Sequence, residues 1–466
     1  MQNRILAKAA RTSRVVDIAV VVLGLATMPS AWAQSIKTNV VLGSSVAGGG
    51  GARAFSSSYA GLMIRMLATD GWWAVDRAVA GYNASNVIKT FSAKVPRGVD
   101  EVFIGLSLGN ERLAGSKDPQ AICNRFFSEI STLIAMTYSN GSLPLLGGVY
   151  PHNDFTWEDY RYLKNMVLRF NTLAVPCVNF LGATDDGRGH WVASLNSGDG
   201  VHPNDAGHYE MFLTIVPSVF DAWKAGKPTP QWGHSSRFVR IAGDPNQSAP
   251  LSFTPGSTVH SFSMSFRVRT SATGTVASVT LSGSARHPTI RIMPSGLVYV
   301  ATNGEVVGSG VPVTDGTWHD VVVTHEFARG QTWFYVDGAA AGIVSERLAP
   351  IGFELGGRGS AATQPGSPAQ ADYRDWFIHR SMLNAEEVTA QHQGSLQQES
   401  LELYSPLDDP AFPQGGTVAN RAQSLSAATI HGAMLSPSPA ASSTEAPTHG
   451  VAPAGPGAPA AATRRM

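Results

Sequence analysis

The hydrophobic positions of residues 34–226 alternate between two patterns. Five short apolar runs have the length and composition of buried strands, at 39–42, 73–75, 102–106, 143–149 and 178–181. Three longer segments repeat apolar residues at the spacing of an amphipathic helix, at 59–67, 121–138 and 157–173. Strands separated by helices of this length predict βαβ units, and therefore a parallel sheet with helices on both faces. A last helix over 205–223 is predicted to close this α/β domain.

The pattern changes after a Pro- and Gly-rich stretch, and residues 227–235 are a predicted linker. Beyond it, apolar and polar residues alternate over 262–269, as in a half-buried antiparallel strand. Pro294-Ser295-Gly296 separates two more strand patterns and predicts a hairpin. Short strands with Gly-rich turns predict that residues 236–435 form an all-β sandwich. Residues 436–466 are rich in Ser, Pro, Ala and Gly, and we expect a disordered tail.

Residues 1–33 have the pattern of a secretory signal peptide. Four basic residues precede an apolar run at 18–26, and Ala31 and Ala33 satisfy the small-residue cleavage rule. The alternative is an uncleaved membrane anchor, but the apolar core of about a dozen residues is short for a bilayer span of about 20. We therefore expect cleavage before Gln34, no membrane span afterwards, and a secreted or periplasmic protein.

Charge and cysteine content narrow the class of protein. Lys and Arg number 34 and so do Asp and Glu, so the chain has no overall basic field and nucleic acid is not an expected partner. Cys123 and Cys177 are the two cysteines. In an oxidising compartment they would form one disulfide, whereas in a packed core they would be two buried thiols. The sequence leaves both alternatives open, and it also leaves the oligomeric state open.

Polar clusters follow the predicted strands of the α/β domain, where ligands collect in open parallel sheets. Ser45 follows the first strand, Gly81 the second and Asn110 the third, while Asp199 and His202 precede the last helix. A histidine can remove the proton of a serine hydroxyl, and a carboxylate can orient that histidine. The backbone N–H groups of Ser45 and Gly81, with the Asn110 amide, would then form an oxyanion hole.

These residues resemble, in order, the sequence blocks of the SGNH (GDSL-type) hydrolase superfamily. The family pattern is G-D-S, then a Gly, then G-x-N-D, then D-x-x-H. The matching positions over about residues 38–225 are Gly43-Ser44-Ser45, Gly81, Asn110, and Asp199 with His202. The resemblance implies a three-layer, flavodoxin-like α/β fold and a catalytic triad of Ser45, His202 and Asp199.

Two positions depart from the family pattern. Ser44 stands where the family has Asp, which leaves two adjacent serines, and the register of the block favours Ser45 as the nucleophile. Glu111 stands where the third block has Asp. Neither change removes a group whose chemistry the predicted reaction needs.

The remaining histidines of the first domain, His152, His190 and His208, are expected at the surface or in support of the site. None of them has the spacing of a zinc-binding helix, so we expect no metal in the active site and no required cofactor. The Gly-rich segment at 185–190 is expected to be a solvated loop.

The β-rich half resembles the laminin-G-like, concanavalin-A-like sandwich of jelly-roll type over about residues 236–431. The match rests on strand and turn motifs at 316–323, 333–338, 353–357, 372–376 and 381–387. Related modules often bind carbohydrate and sometimes Ca²⁺. Asp337 and Asp375 are candidate Ca²⁺ ligands, although turn positions are the favoured interpretation. Trp318 and Trp333 are predicted to be core residues.

Taken together, these features predict an exported serine carboxylic-ester hydrolase. A short acyl group, such as an O-acetyl ester on carbohydrate, is the expected substrate, with acylated polysaccharide as the expected partner. One alternative is an O-acyltransferase that modifies exported polysaccharide with the same triad. Another is a glycan-binding or adhesion protein without enzymatic activity.

Overall fold

The computed structural model describes residues 36–233, 237–244, 249–284, 286–357 and 367–432. The predicted signal peptide (1–33) and the predicted tail (436–466) lie outside the described residues, and so does part of the predicted linker.

Within residues 36–233, five parallel strands form one sheet in the order β2-β1-β3-β4-β5. The strands are β1 (Lys37–Gly43), β2 (Trp72–Asp76), β3 (Glu101–Gly105), β4 (Leu143–Gly147) and β5 (Cys177–Val178). This order is that of flavodoxin-like doubly wound folds. The predicted fold class of the first domain is confirmed.

Helices cover both faces of this sheet. They are α1 (Tyr59–Thr69), α2 (Ala84–Lys94), α3 (Pro119–Ser139), α4 (Trp157–Phe170), α5 (Leu181–Thr184), α6 (Asp205–Leu213) and α7 (Val219–Lys224). Val40 and Leu42 of β1 pack in a core with α2, α3 and α4, whereas Val41 packs on the opposite face with α1 and α6. Because successive strand residues point to opposite faces, one run of apolar residues fills both cores.

The end of the first domain differs from the prediction. The single helix predicted over 205–223 is two helices, α6 and α7, with Pro217 in the segment between them. Proline lacks the N–H that a helix interior requires, and its ring clashes with the preceding turn. The sequence analysis also missed α2, whose N-cap Asn83 accepts a hydrogen bond from the backbone N–H of Asn86.

The described part of residues 237–432 contains two antiparallel sheets, with orders β12-β11-β10-β9-β16-β7-β19 and β15-β14-β13-β8-β17-β18, and β6 pairs with β17. Their bounds are β6 (Val239–Ile241), β7 (Leu251–Phe253), β8 (Phe262–Arg269), β9 (Gly274–Leu281), β10 (Thr289–Met293), β11 (Gly296–Val300), β12 (Val306–Gly308), β13 (His319–Glu326), β14 (Gln331–Val336), β15 (Ala339–Ser345), β16 (Pro350–Leu355), β17 (Ala371–His379), β18 (Leu401–Ser405) and β19 (Ala428–Ile430). One apolar core includes side chains of both sheets. The predicted sandwich is confirmed.

The first five residues of strand β8 are buried on both faces, although its alternation predicted a half-buried strand. Phe262 and Met264 lie in the sandwich core, and Ser263 on the other face is also fully buried. The Ser263 hydroxyl donates to the carbonyl of Ser381 at 2.9 Å and accepts from the N–H of Leu383 at 2.8 Å. The segment that leads into α8 (Ala385–His392) therefore covers the outer face of the sheet.

The sandwich packs directly against the α/β domain through buried polar groups. Asn179, which follows β5, donates from Nδ2 to Oε1 of Glu387 at 3.1 Å, and its N–H donates to the hydroxyl of Ser400 at 2.8 Å. Arg380 donates from Nε to the carbonyl of Leu213 at 2.8 Å. These bonds join residues more than 160 positions apart, so the two domains share one interface.

The two cysteines are free thiols, and both are buried. Cys123 lies on the buried face of α3, and the thiol of Cys177 donates to Oε1 of Glu399 at 3.5 Å. Of the two alternatives that the sequence left open, the disulfide is wrong. Burial raises the pKa of Cys123 to about 11, which keeps this thiol protonated and unreactive.

In the part of the chain that the structure describes, none of the helices is long and apolar enough to cross a membrane.

Candidate active site

The two adjacent serines after β1 have different surroundings. Ser44 is buried, and its hydroxyl lies 3.3 Å from the hydroxyl of Tyr150. Ser45 is partly exposed, and its hydroxyl oxygen lies 2.8 Å from Nε2 of His202. The structure therefore brings Ser45, and not Ser44, to the histidine.

Ser45, His202 and Asp199 form a continuous hydrogen-bonded chain. Nδ1 of His202 lies 2.6 Å from Oδ2 of Asp199, on the side of the ring opposite Ser45. An ionised carboxylate can only accept, so Nδ1 carries the proton and Nε2 of the neutral ring accepts from the Ser45 hydroxyl. This is the geometry in which an imidazole can take the proton of a serine.

The loop before α6 holds the Asp199 carboxylate ionised. Oδ1 of Asp199 accepts from the N–H groups of Val201 and His202 at 2.8 Å each, and from the hydroxyl of Ser197 at 2.9 Å. Partial desolvation opposes ionisation, but the hydrogen bonds from His202, Val201 and Ser197 outweigh it. The pKa of Asp199 consequently lies well below its usual range.

Two glycines allow the His202 loop to approach Ser45. A Cβ on Gly50 would lie 2.7 Å from Cδ2 of His202 and 2.9 Å from the carbonyl oxygen of Ser45. Gly51 has φ +86°, and a Cβ there would overlap the carbonyl oxygen of Pro203. Side chains at either position would displace the loop, which explains part of the glycine run at 48–51 in physical terms.

His208 is fully buried beneath this glycine turn. Its Nε2 lies 3.0 Å from the carbonyl oxygen of Gly50, and its Nδ1 accepts from the N–H of Tyr59 at 3.3 Å. Burial lowers the pKa of His208 to about 4, so the ring is neutral at physiological pH, with the proton on Nε2. The prediction that His208 supports the site fits this position.

Gly81 and Asn110 lie on loops that follow β2 and β3, the two strands that flank β1. Gly81 is exposed and has φ +78°, a backbone conformation that favours glycine. Asn110 donates from Nδ2 to the carbonyl of Tyr82 at 3.0 Å, which ties the two loops together. The carboxyl ends of neighbouring parallel strands share one edge of a sheet, and Ser45 lies at the same edge.

Glu111 is a structural member of this site that the sequence analysis did not assign. Its Oε1 accepts from the N–H of Ala84, the first residue of α2, at 2.7 Å. The side chain of Arg125 donates to the carbonyl of Glu111 at 3.3 Å. Glu111 thereby holds the loop that carries Asn110 against the start of α2. The sequence feature that could have indicated this role is the position of Glu111 in the third block, where the family pattern has Asp, another carboxylate.

The segment after β4 also reaches the site. The N–H of Asn153 donates to the carbonyl of Gly200 at 2.8 Å, and its Oδ1 accepts from the N–H of Trp191 at 3.0 Å. His152 precedes it and lies close enough to His202 and Asp199 to interact with both electrostatically. This segment fixes the position of the Asp199–His202 loop.

The loop at 185–190 is not simply solvated, as the sequence analysis expected. Asp185 is buried, where its Oδ2 accepts from the hydroxyl of Tyr160 at 2.5 Å and its Oδ1 accepts from the N–H of Gly189 at 2.9 Å. Burial raises the pKa of Asp185 to about 6. The side chain therefore anchors the loop from the inside.

No group of three or more metal-ligating side chains converges within the described residues. Of the two Ca²⁺ candidates, Asp337 occupies the turn between β14 and β15 with φ +51°, and accepts from the N–H of Asp320 at 2.8 Å. Asp375 is buried at an irregularity of β17, with φ +56°. Trp318 and Trp333, predicted as core, are only partly buried.

Comparison with known proteins matches residues 243–389 to a family model, laminin G of the concanavalin A-like lectin/glucanases superfamily. No curated protein sequence matches the chain.

Similar solved structures include a protein assigned to the G-D-S-L lipolytic family from Desulfitobacterium hafniense, which is 16% identical. Its TM-score is 0.31, and the match covers 38% of this chain and 95% of that one. An acetylxylan esterase from Geobacillus stearothermophilus is 16% identical, with a TM-score of 0.29 and coverage of 38% and 90%. Mouse laminin alpha1 domains LG4-5 are 18% identical, with a TM-score of 0.27 and coverage of 34% and 45%.

The family model lies within the range predicted for the sandwich. The laminin-G-like, concanavalin-A-like resemblance of the second domain is thus confirmed for residues 243–389.

Proposed function

We propose that this chain is a serine carboxylic-ester hydrolase, with Ser45 as nucleophile, His202 as general base and acid, and Asp199 as the group that orients His202. The observation that carries the proposal is the hydrogen-bonded chain from Asp199 through His202 to Ser45, with distances of 2.6 and 2.8 Å. A serine hydroxyl is a weak nucleophile alone and becomes effective beside such a base.

The reaction proceeds in two displacements. As the Ser45 oxygen bonds to the ester carbonyl carbon, its proton passes to Nε2 of His202 and the carbonyl electron pair moves onto oxygen. Collapse of this intermediate breaks the bond to the alcohol, which leaves with the proton from His202. Water then attacks the acyl-enzyme, again giving its proton to His202, and release of the acid restores Ser45. Ionised Asp199 stabilises the imidazolium in both steps.

The negative oxygen of each intermediate requires hydrogen-bond donors. The N–H groups of Ser45 and Gly81, with Nδ2 of Asn110, fill this role in the proposal. Support comes from their placement, because their loops follow three adjacent strands at one edge of the sheet. Asn110 already donates one N–H to Tyr82, which fixes the orientation of the amide and leaves its second N–H for the substrate.

The proposed substrate is a short acyl ester, such as an O-acetyl group, on a carbohydrate. The support is the second domain, whose family model is named for lectins and glucanases. We also propose that the protein is secreted or periplasmic, on the signal-peptide pattern of residues 1–33.

The test measures hydrolysis of p-nitrophenyl acetate and of acetylated xylan by the wild type, Ser45→Ala and Ser44→Ala. Ser44→Ala is the matched control, since the hydroxyl of Ser44 contacts Tyr150 and not His202. Ser45→Ala should lose about 10⁴-fold or more in kcat, because the triad acts as a unit. An active Ser45→Ala protein would overturn the proposal. Acetyl transfer to added glycan in excess of hydrolysis would overturn hydrolysis as the reaction.

A further inference from the structure

His152 occupies the edge of the site between two of its loops. A Cβ on Gly109 would lie 3.1 Å from Cδ2 of His152 and 3.8 Å from its Nε2, so this edge of the ring faces the residue before Asn110. The ring also interacts electrostatically with His202 and Asp199. Its side chain is 15% exposed. His152 therefore lies beside the loop that carries Asn110 and within electrostatic range of His202.

The hydrogen bonds of His152 determine which ring nitrogen carries the proton. Nδ1 accepts from the N–H of Asp154 at 3.2 Å, so the proton of the neutral ring is on Nε2. Desolvation lowers the pKa of His152, which favours this neutral form. Among the described residues Nε2 has no hydrogen-bond partner, and it is not one of the polar atoms closed off from solvent. The ring therefore presents one N–H donor at the edge of the site.

The backbone holds this donor in place. The N–H of His152 donates to the carbonyl of Gly189 at 3.0 Å, and its carbonyl accepts from the N–H of Phe155 at 3.0 Å. The rings of His152 and Phe155 pack with centroids 5.3 Å apart. A donor fixed in this way loses little conformational entropy when it binds a ligand.

We propose that Nε2–H of His152 donates a hydrogen bond to an oxygen of the alcohol half of the substrate and so selects esters of polyhydroxylated alcohols, such as acylated sugars, over esters of hydrocarbon alcohols. This inference rests on the proposed function and adds a specificity-determining residue to it. A hydrocarbon alcohol seated against the ring would leave the N–H unpaired, at an energetic cost.

His152 is assigned to the alcohol half of the substrate because the two oxygens of the reacting ester group already have hydrogen-bond partners. The carbonyl oxygen belongs to the donors Ser45, Gly81 and Asn110 in the proposed reaction, and the leaving oxygen receives its proton from His202. His152 is within electrostatic range of His202, the group that protonates the departing alcohol in the proposed reaction. The remaining acceptors near that position are hydroxyl or ring oxygens adjacent to the ester.

The experiment compares kcat/KM for a mono-O-acetyl methyl xyloside and for cyclohexyl acetate, two acetates of six-membered rings with and without neighbouring oxygens. The wild type should prefer the xyloside, and the ratio of the two kcat/KM values is the readout. His152→Phe keeps a ring and removes the donor, and it should lower this ratio about 3- to 10-fold, the effect of one neutral hydrogen bond. His152→Gln keeps an N–H donor and should restore part of the ratio.

The control is His431→Phe, because His431 contacts Ser252 in the sandwich and the substitution should leave the ratio as in the wild type. An unchanged ratio in His152→Phe, or a wild-type preference for cyclohexyl acetate, would overturn the inference. An equal loss of about 10²- to 10³-fold in kcat on both esters would also overturn it, since that is the signature of an oxyanion donor. Ser45→Ala in the same assay distinguishes failure of this inference from failure of the proposed function. Activity of Ser45→Ala would contradict the proposed function, whereas an unchanged ratio in His152→Phe would contradict only the inference about His152.

Discussion

The glycine run at 48–51 provides a sharp test of the site geometry. In Gly50→Ala the new methyl group would lie 2.7 Å from Cδ2 and 3.0 Å from Nε2 of His202, and 2.9 Å from the carbonyl oxygen of Ser45. Ordinary van der Waals contact begins at 3.4 Å. The Ser45 carbonyl is backbone and is held by the N–H of Gly50 at 2.7 Å, so the His202 ring moves most readily, and the turn at Gly50 shifts slightly as well.

The required displacement sets the magnitude. The ring must move by about 0.7 Å to restore ordinary contact with the methyl group, and this motion lengthens or bends the bond between Nε2 and the Ser45 hydroxyl. A misplacement of about 1 Å in an active site costs about 10²-fold in rate. We therefore expect Gly50→Ala to lower kcat on p-nitrophenyl acetate by about 10- to 100-fold, with a smaller change in KM.

Gly48→Ala is the matched control from the same run. A Cβ on Gly48 would meet its nearest atoms, the carbonyl oxygens of Ser44 and Ser45, at 3.6 Å, which is ordinary contact. Its kcat should stay within about two-fold of the wild type, since most surface substitutions are nearly neutral. Both variants are assayed for esterase rate and for thermal unfolding by circular dichroism. A folded Gly50→Ala protein with wild-type kcat, or an equal loss in Gly48→Ala, would refute the reasoning.

Three further predictions concern other parts of the molecule. Asn110→Ala should lower kcat by about 10²- to 10³-fold with little change in KM, as loss of an oxyanion donor does, and a loss confined to KM in steady-state kinetics would contradict this role. Because the pKa of His208 is about 4 in the folded chain and near 6.5 when unfolded, the unfolded state binds more protons between these pH values, and the free energy of unfolding should fall as pH drops through this range. Urea titrations on either side of the range should show a shallower fall for His208→Gln, and an identical fall would refute the assignment. Arg380→Met should destabilise the protein by about 3–5 kcal/mol, since it leaves the buried carboxylate of Glu402 without the cation 2.8 Å away, and the double variant with Glu402→Leu should recover part of the loss in thermal unfolding.

Local sequence patterns predicted much of the fold. Buried parallel strands appear in a sequence as short apolar runs. Each of the five apolar runs in the first domain contains or overlaps a strand. The apolar spacing over 205–223 predicted one helix, whereas Pro217, which that prediction did not take into account, marks the break. The spacing of Asp199 and His202 placed both residues in one loop, because three residues is a local distance. The approach of His202 to Ser45, 157 positions earlier, is a tertiary contact, and it could be inferred only from the shared edge of a parallel sheet and from the family resemblance.

The interface between the domains could not be predicted in the same way. Asn179 and Glu387 are 208 positions apart, and nothing in either local pattern marks them as partners. Ser263 lies on the strand face that the alternation of polar and apolar residues predicted to be exposed, yet the segment before α8 covers it. The free cysteines show the same limit, since the distance between Cys123 and Cys177 decides whether they can pair, and that distance is a tertiary property. His152 was assigned to the surface or a supporting role because no motif distinguishes it.

The central claim is that Ser45 becomes acylated during turnover. The most direct measurement is acid quenching of the wild-type protein during hydrolysis of p-nitrophenyl acetate, followed by proteolysis and fragment mass spectrometry of the peptide that contains both adjacent serines. We expect an acetyl group on Ser45, formed in a burst with p-nitrophenol release and absent in His202→Ala. An acetyl group on Ser44, or steady hydrolysis without any acetylated serine, would contradict this claim.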